Sequence, residues 1–207
     1  MPGKRQFTIY GIGILLLSSG VSLAILANFG TSPFDALLVG LANSIGLSVG
    51  SWEIILSLLL LATIALISKS RPVYSGLITA IITGVGIDGS LFVFQNFLHI
   101  TQWLHPFITF FLGLLLIGLG TAMYLQTHIA PAPIDHLMLI VCKLTNMSIR
   151  SVRTILYALF LILALLFKGP IGLGTVLTVM LGGLILQSCM PLTGKLIDSN
   201  HYSLRKQ

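Results

Sequence analysis

The chain has 207 residues, of which 56% are hydrophobic and 8% are charged. Soluble domains carry about 25% charged residues, so this composition excludes a water-soluble globular protein and predicts a single polytopic membrane domain over 1–207. The net charge of +6 comes from basic residues that lie singly or in pairs at the ends of apolar runs. That distribution is typical of the positive-inside pattern and argues against nucleic-acid binding.

The first apolar run begins after Lys4 and Arg5 and continues to Phe29. It is longer than the apolar region of a typical signal peptide, and a similar run recurs in the middle of the chain at 107–127. The sequence therefore predicts a retained first span over about 7–28.

A short helix is predicted directly after this span. The motif G-T-S-P-F-D at 30–35 places Ser32 as the N-cap, Pro33 in the favoured first position and Asp35 as the acid of a capping box. The helix then runs to about Ile45. With its flanking residues it reaches roughly 24 Å, which is marginal for a bilayer core of ~30 Å.

The remaining elements are predicted from apolar runs separated by turns. In the first half, a span opens with Trp52 and Glu53 and ends near 68, a basic turn covers 69–72, and a span over about 73–97 contains Asp88. In the second half, a span at 107–127 is followed by a second short helix within 131–146. A further span opens at Arg150 and ends near 167, and the last span covers about 171–190. The chain therefore has six long spans and two short helices.

The second half of the chain repeats the first at an offset of 100 residues. Glycine, proline and aspartate recur at this spacing, which apolar filler alone would not produce. The matched pairs are Gly13 and Gly113, Gly20 and Gly120, Pro33 and Pro133, Asp35 and Asp135, Ser48 and Ser148, and, after one deletion, Gly84 and Gly183, and Asp88 and Gln187. The sequence predicts repeats over about 7–97 and 107–190, followed by a cytoplasmic tail at 191–207.

Basic residues favour an inverted arrangement of the two repeats. If the short helices dip into the membrane and return, each half has three spans, and ten of the eleven basic residues lie on one side, with Lys168 alone opposite. If the short helices cross, the division is eight against three. The rule therefore predicts inverted halves, cytoplasmic N- and C-termini, and short helices that open at Pro33 and Pro133 from opposite faces. Inverted repeats with short helices are a transporter architecture.

The chain resembles the YczE/YyaS/YitT-type bacterial membrane proteins. The residues that carry the resemblance are the motif at 30–35, G-L-S at 46–48, S-I-R at 148–150 and G-L-G-T at 172–175. The chain departs from the pattern at 130–133, where a more glycine-rich turn is expected. The resemblance implies a multi-pass protein of the bacterial plasma membrane and no particular activity.

Carboxylates in apolar segments are candidate functional groups, because they cost several kcal/mol unless they are paired or solvated. Asp35 has an alternative role as a helix cap. The same capping role is less well supported for Asp135, since Ala132 at the matching cap position offers no side-chain oxygen. His136, which is beside Asp135, is either a partner of that carboxylate or simply a polar residue with its own hydrogen bonds. Asp88 either hydrogen-bonds a neighbouring helix end or belongs to a pathway, and Gln187 is its neutral counterpart.

Glu53 and Arg153 occupy matched positions in the two halves, near the outer and inner faces respectively in the inverted arrangement. Arg150 and Arg153 lie three residues apart on one helix face. They either anchor their span at the inner face or pair with Asp135, which would build a cytoplasmic gate or an anion-binding vestibule.

The leading functional hypothesis is a small secondary transporter or permease for a small solute or ion. The alternative is a non-transporting scaffold or an assembly partner of another membrane system. No catalytic motif, cofactor motif or metal-ligand spacing is recognised, and Cys142 and Cys189 indicate no disulfide framework, so no enzyme activity and no cofactor are expected. The expected surroundings are the lipid bilayer, and a homodimer is one arrangement that the sequence permits.

Overall fold

The computed structural model describes residues 4–68, 75–97 and 105–198, which fold entirely into helices and their connections. The helices are α1 (Lys4–Leu26), α2 (Pro33–Ile45), α3 (Val49–Ser68), α4 (Ser75–Asn96), α5 (Pro106–Gln126), α6 (Pro133–Thr145), α7 (Ile149–Leu166) and α8 (Leu173–Asp198). The predicted all-α class is confirmed. Five of these helices, α1, α3, α4, α5 and α8, are long and apolar enough to cross a membrane. The predicted basic turn at 69–72 lies outside the described residues.

Helices α1 and α5 form the most extensive contact between described elements. Gly13 lies against Gly120, and Gly20 lies against Gly113. A β-carbon added to Gly20 would lie 2.7 Å from the carbonyl oxygen of Gly113, so glycine allows the two backbones to touch. The partner number falls as the number on α1 rises, so α1 and α5 are antiparallel.

Helix α4 packs beside α1 and runs parallel to it. The Tyr10 and Thr79 hydroxyls are 2.6 Å apart in a hydrogen bond, and Ser22 Oγ donates to the carbonyl of Ile87 at 3.1 Å. Both numbers rise together along the pair. These buried hydroxyls therefore join the two helices where apolar contact alone gives little specificity.

Helix α8 packs beside α5, again in parallel. Gly118 lies against Ile185, and Gln126 Nε2 donates to the carbonyl of Met190 at 2.6 Å. The pairs α1–α4 and α5–α8 are thus equivalent in packing and direction within their halves.

The end of α8 differs from the sequence prediction. The last span was expected to end near residue 190, but α8 continues through Pro191 to Asp198. Thr193 in this extension is buried, and its hydroxyl donates to the carbonyl of Cys189 at 3.1 Å. The predicted tail at 191–207 therefore begins too early, and 199–207 lie outside the described residues.

The short helix α2 begins as the sequence predicts. Ser32 Oγ accepts a hydrogen bond from the backbone N–H of Asp35 at 3.2 Å, and Pro33 occupies the first turn. At ~1.5 Å per residue its 13 residues reach about 20 Å, which is less than a bilayer core of ~30 Å.

One face of α2 packs across the turn between α7 and α8. Ala36 and Gly40 lie against the backbone of this turn, and Ser44 Oγ donates to the carbonyl of Phe167 at 2.9 Å. The spacing of four residues keeps these positions on one face of the helix. Helix α2 is therefore held by the other half of the chain.

The second short helix, α6, is held by the first half in the same way. Leu137 is buried against Leu61 and Ile64 of α3. Ala132 at the N-cap makes no side-chain hydrogen bond, as expected from its methyl side chain.

The two halves differ in how their last two helices pack. In the first half α3 lies close along α4, with Gly50 against the carbonyl of Gly84. In the second half α7 and α8 barely touch within the described residues. The residue that corresponds to Gly50 is Arg150, and the guanidinium of Arg153 lies against Gly183 of α8.

Candidate functional site

A cavity of about 300 Å³ lies at the centre of the molecule and is lined by residues from all eight helices. Its volume is at the lower end of the range for small-molecule sites. Most of the wall is apolar. The charged and hydroxyl-bearing residues of the wall are Ser32, Asp35, Glu53, Thr83, Thr121, Tyr124, Asp135, Arg153, Tyr157 and Thr178.

Asp35 reaches the cavity from the first turn of α2. Its Oδ2 accepts a hydrogen bond from Ser32 Oγ at 2.6 Å, while its own backbone N–H donates to the same hydroxyl oxygen. The carboxylate therefore completes the cap predicted from the sequence and also lines the cavity. Capping and a functional role are compatible in this geometry.

Asp135 reaches the cavity from the equivalent turn of α6, and its partner is Tyr124. The Tyr124 hydroxyl, on α5, donates to Asp135 Oδ2, and the Tyr124 side chain is buried. The sequence predicted a carboxylate without a cap at this position but did not predict this tyrosine.

A pair of exchanged residues explains the difference between the two aspartates. The residue that corresponds to Ser32 is Ala132, and the residue that corresponds to Tyr124 is Ala24. Each aspartate therefore has one hydroxyl donor, which comes from the helix cap in the first half and from the preceding helix in the second. A comparison of Tyr124 with Ala24, the residue 100 positions earlier, is the sequence signal that could have identified this tyrosine.

Glu53 lies on the cavity wall with only 8% of its surface exposed. Ser57, one turn further along α3, donates to its Oε1 at 3.4 Å. The sequence placed Glu53 near the outer face. The structure buries it in the cavity, and α3 begins beside Gly84 and Asp88, well inside the length of α4.

Arg153 also lies on the cavity wall, at the position of the second half that corresponds to Glu53 in the first. Its Nη2 donates to the Tyr157 hydroxyl at 3.0 Å, and its guanidinium carbon is 5.1 Å from the centroid of the Tyr157 ring. Glu53 and Arg153 thus each contact the residue four positions later in their own helix. The wall carries an acidic and a basic group at matched positions.

The structure brings some predicted site residues together and separates others. Asp35, Glu53, Asp135 and Arg153 share the cavity with Ser32, while Pro33 and Pro133 are buried in the first turns of their helices. Gln187 is exposed on α8, away from the cavity wall, and the side chain of Arg150 lies outside the described residues. Among those that the structure describes, no three His, Cys, Asp or Glu residues are placed to hold a metal ion.

Asp88 lies outside the cavity and joins α4 to the start of α3. Its Oδ1 accepts from the backbone N–H of Gly50 at 2.8 Å, and its Oδ2 accepts from Ser48 Oγ at 2.5 Å. Ser48 in turn accepts from the N–H of Ser51 at 3.1 Å. Of the two roles considered from the sequence, the geometry matches the hydrogen bond to a neighbouring helix end.

Replacing Asp88 with alanine is expected to lower stability and spare function. The substitution leaves the buried N–H of Gly50 without its acceptor, which costs about 1–3 kcal/mol, or several degrees in melting temperature. Thermal unfolding of purified protein measures this, with Gly89→Ala as the control, because a β-carbon at Gly89 meets nothing within 4 Å. An unchanged melting temperature for Asp88→Ala would contradict this assignment of Asp88.

These features define a helical multi-pass membrane protein with a polar cluster in a central cavity. The chain belongs to a family of unknown function (DUF6198), whose profile matches residues 4–191.

Comparison with individual proteins agrees with this membership. The chain is 56% identical to the uncharacterized protein YyaS of Bacillus subtilis, over 90% of this chain and 93% of the relative. It is 34% identical to the uncharacterized membrane protein YczE of the same organism, over 93% and 89% respectively. An uncharacterized protein of Haemophilus influenzae is 31% identical over 84% and 78%. No solved structure matches the chain.

Proposed function

We propose that the chain is a small secondary transporter or channel-like permease, and that its solute pathway passes through the central cavity. One observation carries the proposal: the starts of both short helices, together with Glu53 and Arg153, converge on a single cavity. Ionisable side chains in a membrane interior are costly, and their usual role is in substrate or ion pathways.

The pathway is proposed to lie between two inverted halves of three spans each. The antiparallel contact of α1 with α5 supports this, since these helices are equivalent in the repeat. The parallel contact of α1 with α4 also supports it. A fourth crossing by α2 would make α1 and α4 antiparallel, whereas a short helix that dips and returns leaves them parallel.

The proposed location is the bacterial plasma membrane, with both termini in the cytoplasm. Lys4 and Arg5 begin α1, and Lys143 lies in the last turn of α6, which follows the end of α5. Because α1 and α5 are antiparallel, these basic residues share one side, while Lys168 follows α7 on the other. The positive-inside rule makes the first side cytoplasmic, so that α6 opens from the cytoplasm and α2 from outside.

The proposal is tested by solute uptake into vesicles that contain the purified full-length protein. Radiolabelled choline, alanine and lactate sample the ammonium, zwitterion and carboxylate classes. Wild-type protein is expected to accelerate uptake of at least one class over protein-free vesicles, and the double variant Asp35→Asn/Asp135→Asn is expected to lose that gain.

Two results would count against transport. The first is equal uptake by wild-type and protein-free vesicles for all three classes. The second is stoichiometric co-purification with another membrane protein that the double variant leaves unchanged, which is the outcome expected of a scaffold or assembly partner. Size-exclusion chromatography of both proteins controls for folding.

A further inference from the structure

We infer that the cavity binds a small organic cation, namely a molecule with one ammonium group and an apolar body. This inference rests on the proposed function, since it specifies the ligand of the same cavity.

The cavity contains a buried carboxylate with an unengaged oxygen. Glu53 is more than nine-tenths buried, and its Oε2 has no hydrogen-bond partner among the described residues, while Oε1 has only the 3.4 Å contact from Ser57. Thr83 is 7% exposed, lines the same cavity, and its hydroxyl makes no hydrogen bond within the described part of the chain. Buried polar groups are almost always hydrogen-bonded. A carboxylate oxygen only accepts, whereas a hydroxyl both donates and accepts, so Glu53 indicates a ligand that donates and Thr83 is compatible with one.

The other charged groups of the wall already have protein partners. Asp35 is bonded by Ser32, Asp135 by Tyr124, and Arg153 donates to Tyr157. The start of α2, which would otherwise attract an anion, is occupied by its own serine and aspartate. The one cation on the wall therefore has a protein partner, whereas each of the three carboxylates keeps one oxygen that accepts no hydrogen bond from the described residues.

Charge balance favours the same class of ligand. Three carboxylates face one guanidinium around this cavity. An anionic ligand would increase the imbalance in a medium where uncompensated charge is expensive, whereas an ammonium group would reduce it. A hard metal cation such as Ca²⁺ takes six to eight oxygen ligands, more than the three free carboxylate oxygens and the hydroxyl of Thr83 supply.

The rest of the wall requires an apolar body on the ligand. Its apolar side chains come from seven helices and include Leu17, Val21, Ile87, Leu114, Ile117 and Leu156. In a cavity of about 300 Å³ these side chains would leave a strongly hydrated inorganic ion partly desolvated without compensation. A small amine with an aliphatic or aromatic group satisfies both parts of the wall.

The test compares three probes of matched shape, benzylammonium, benzyl alcohol and benzoate, by calorimetric titration of the purified full-length protein. Benzylammonium is expected to bind saturably, and the neutral and anionic probes about tenfold more weakly or less. Glu53→Gln is expected to weaken benzylammonium binding about tenfold to hundredfold, since it removes a charge-assisted hydrogen bond, and Thr83→Val is expected to weaken it less.

Glu53→Asp and Asp88→Asn are the matched controls. The first keeps a carboxylate in the cavity and is expected to retain part of the affinity, and the second removes a carboxylate that lies outside it and is expected to leave affinity unchanged. If Glu53→Gln does not fold, Thr83→Val and the ranking of the three probes still test the inference. Benzoate binding as tightly as benzylammonium, or an affinity that Glu53→Gln leaves unchanged, would overturn it.

The failure of this inference can be told apart from the failure of the proposed function. Benzylammonium binding that depends on Glu53, without uptake of any solute class, would retain the ligand class and reject transport. Uptake of lactate without benzylammonium binding would reject the ligand class and retain transport.

Discussion

Replacing Gly20 with alanine is expected to destabilise the protein strongly. The new β-carbon would lie 2.7 Å from both the Gly113 carbonyl oxygen and the Ile117 backbone nitrogen. Backbone atoms cannot rotate away as a flexible side chain can, so α1 and α5 must separate along their most extensive contact. Overpacking of this kind costs on the order of 3 kcal/mol, which corresponds to a fall of about 6–12 °C in melting temperature.

The matched control is Gly11→Ala on the same helix. A β-carbon at Gly11 meets nothing within 4 Å, and alanine favours a helix over glycine by up to about 1 kcal/mol, so this variant is expected to be neutral or slightly stabilised. Thermal unfolding of the detergent-purified proteins, followed by tryptophan fluorescence, measures both. Equal melting temperatures for the two variants would refute the proposed contact between α1 and α5.

Removing the Tyr124 hydroxyl is expected to impair solute uptake without unfolding the protein. Tyr124→Phe keeps the ring that packs with Ile14 and Ala130 but removes the hydrogen-bond donor to Asp135. A hydrogen bond to a charged group contributes about 1.5–3 kcal/mol, so uptake is expected to fall about tenfold to hundredfold. The readout is the initial rate of uptake into vesicles for the solute class that the wild-type protein accepts.

Tyr10→Phe is the control for this substitution. Tyr10 also uses its hydroxyl in a buried hydrogen bond, to Thr79, but it does not line the cavity. It is expected to lose stability and to keep its uptake rate. If both phenylalanine variants reduced uptake equally, Tyr124 would have no specific connection to the pathway.

The helices were predictable because apolar runs, caps and the repeat all specify them locally. The sequence placed the short helix over Pro33 to about Ile45, and the structure gives Pro33–Ile45, with Ser32 as the cap. That prediction depended only on neighbouring residues. The prediction for the end of α8 was wrong for the converse reason. Thr193 is buried, and the carbonyl of Met190 accepts a hydrogen bond from Gln126 of α5, and these distant contacts are not visible in the local composition.

The candidate site was predictable only in part, because it depends on depth and on contacts between distant segments. Asp35 and Asp135 were identified from their matched motifs, which is local information. Glu53 was placed near the outer face because it begins a predicted span, yet α3 starts beside the middle of α4. The role of Asp88 follows from the same displacement, since only a helix that begins there can receive a cap from α4.

Tyr124 was missed for a different reason. It occupies the last turn of a long apolar helix, where one tyrosine is unremarkable by composition. Its significance appears when Ala24 and Ala132 are considered together, since each stands where the other half has a hydroxyl. Exchanges between repeats carry information that neither half contains alone.

The central proposal, that a solute pathway across the membrane passes through the cavity, is tested most directly by cysteine accessibility. Thr121 lines the cavity from α5, and Cys142 and Cys189 are the chain's other thiols. Thr121→Cys in a background with both natural cysteines replaced by alanine is exposed to a membrane-impermeant cationic thiosulfonate, in oriented vesicles, from either side separately. Leu59→Cys, on the exposed surface of α3, controls for reaction through lipid.

We expect the reagent to modify the Thr121→Cys variant from both sides of the membrane and to leave the Leu59→Cys control unmodified. Modification from neither side, or from one side only under every condition of solute and membrane potential, would contradict it.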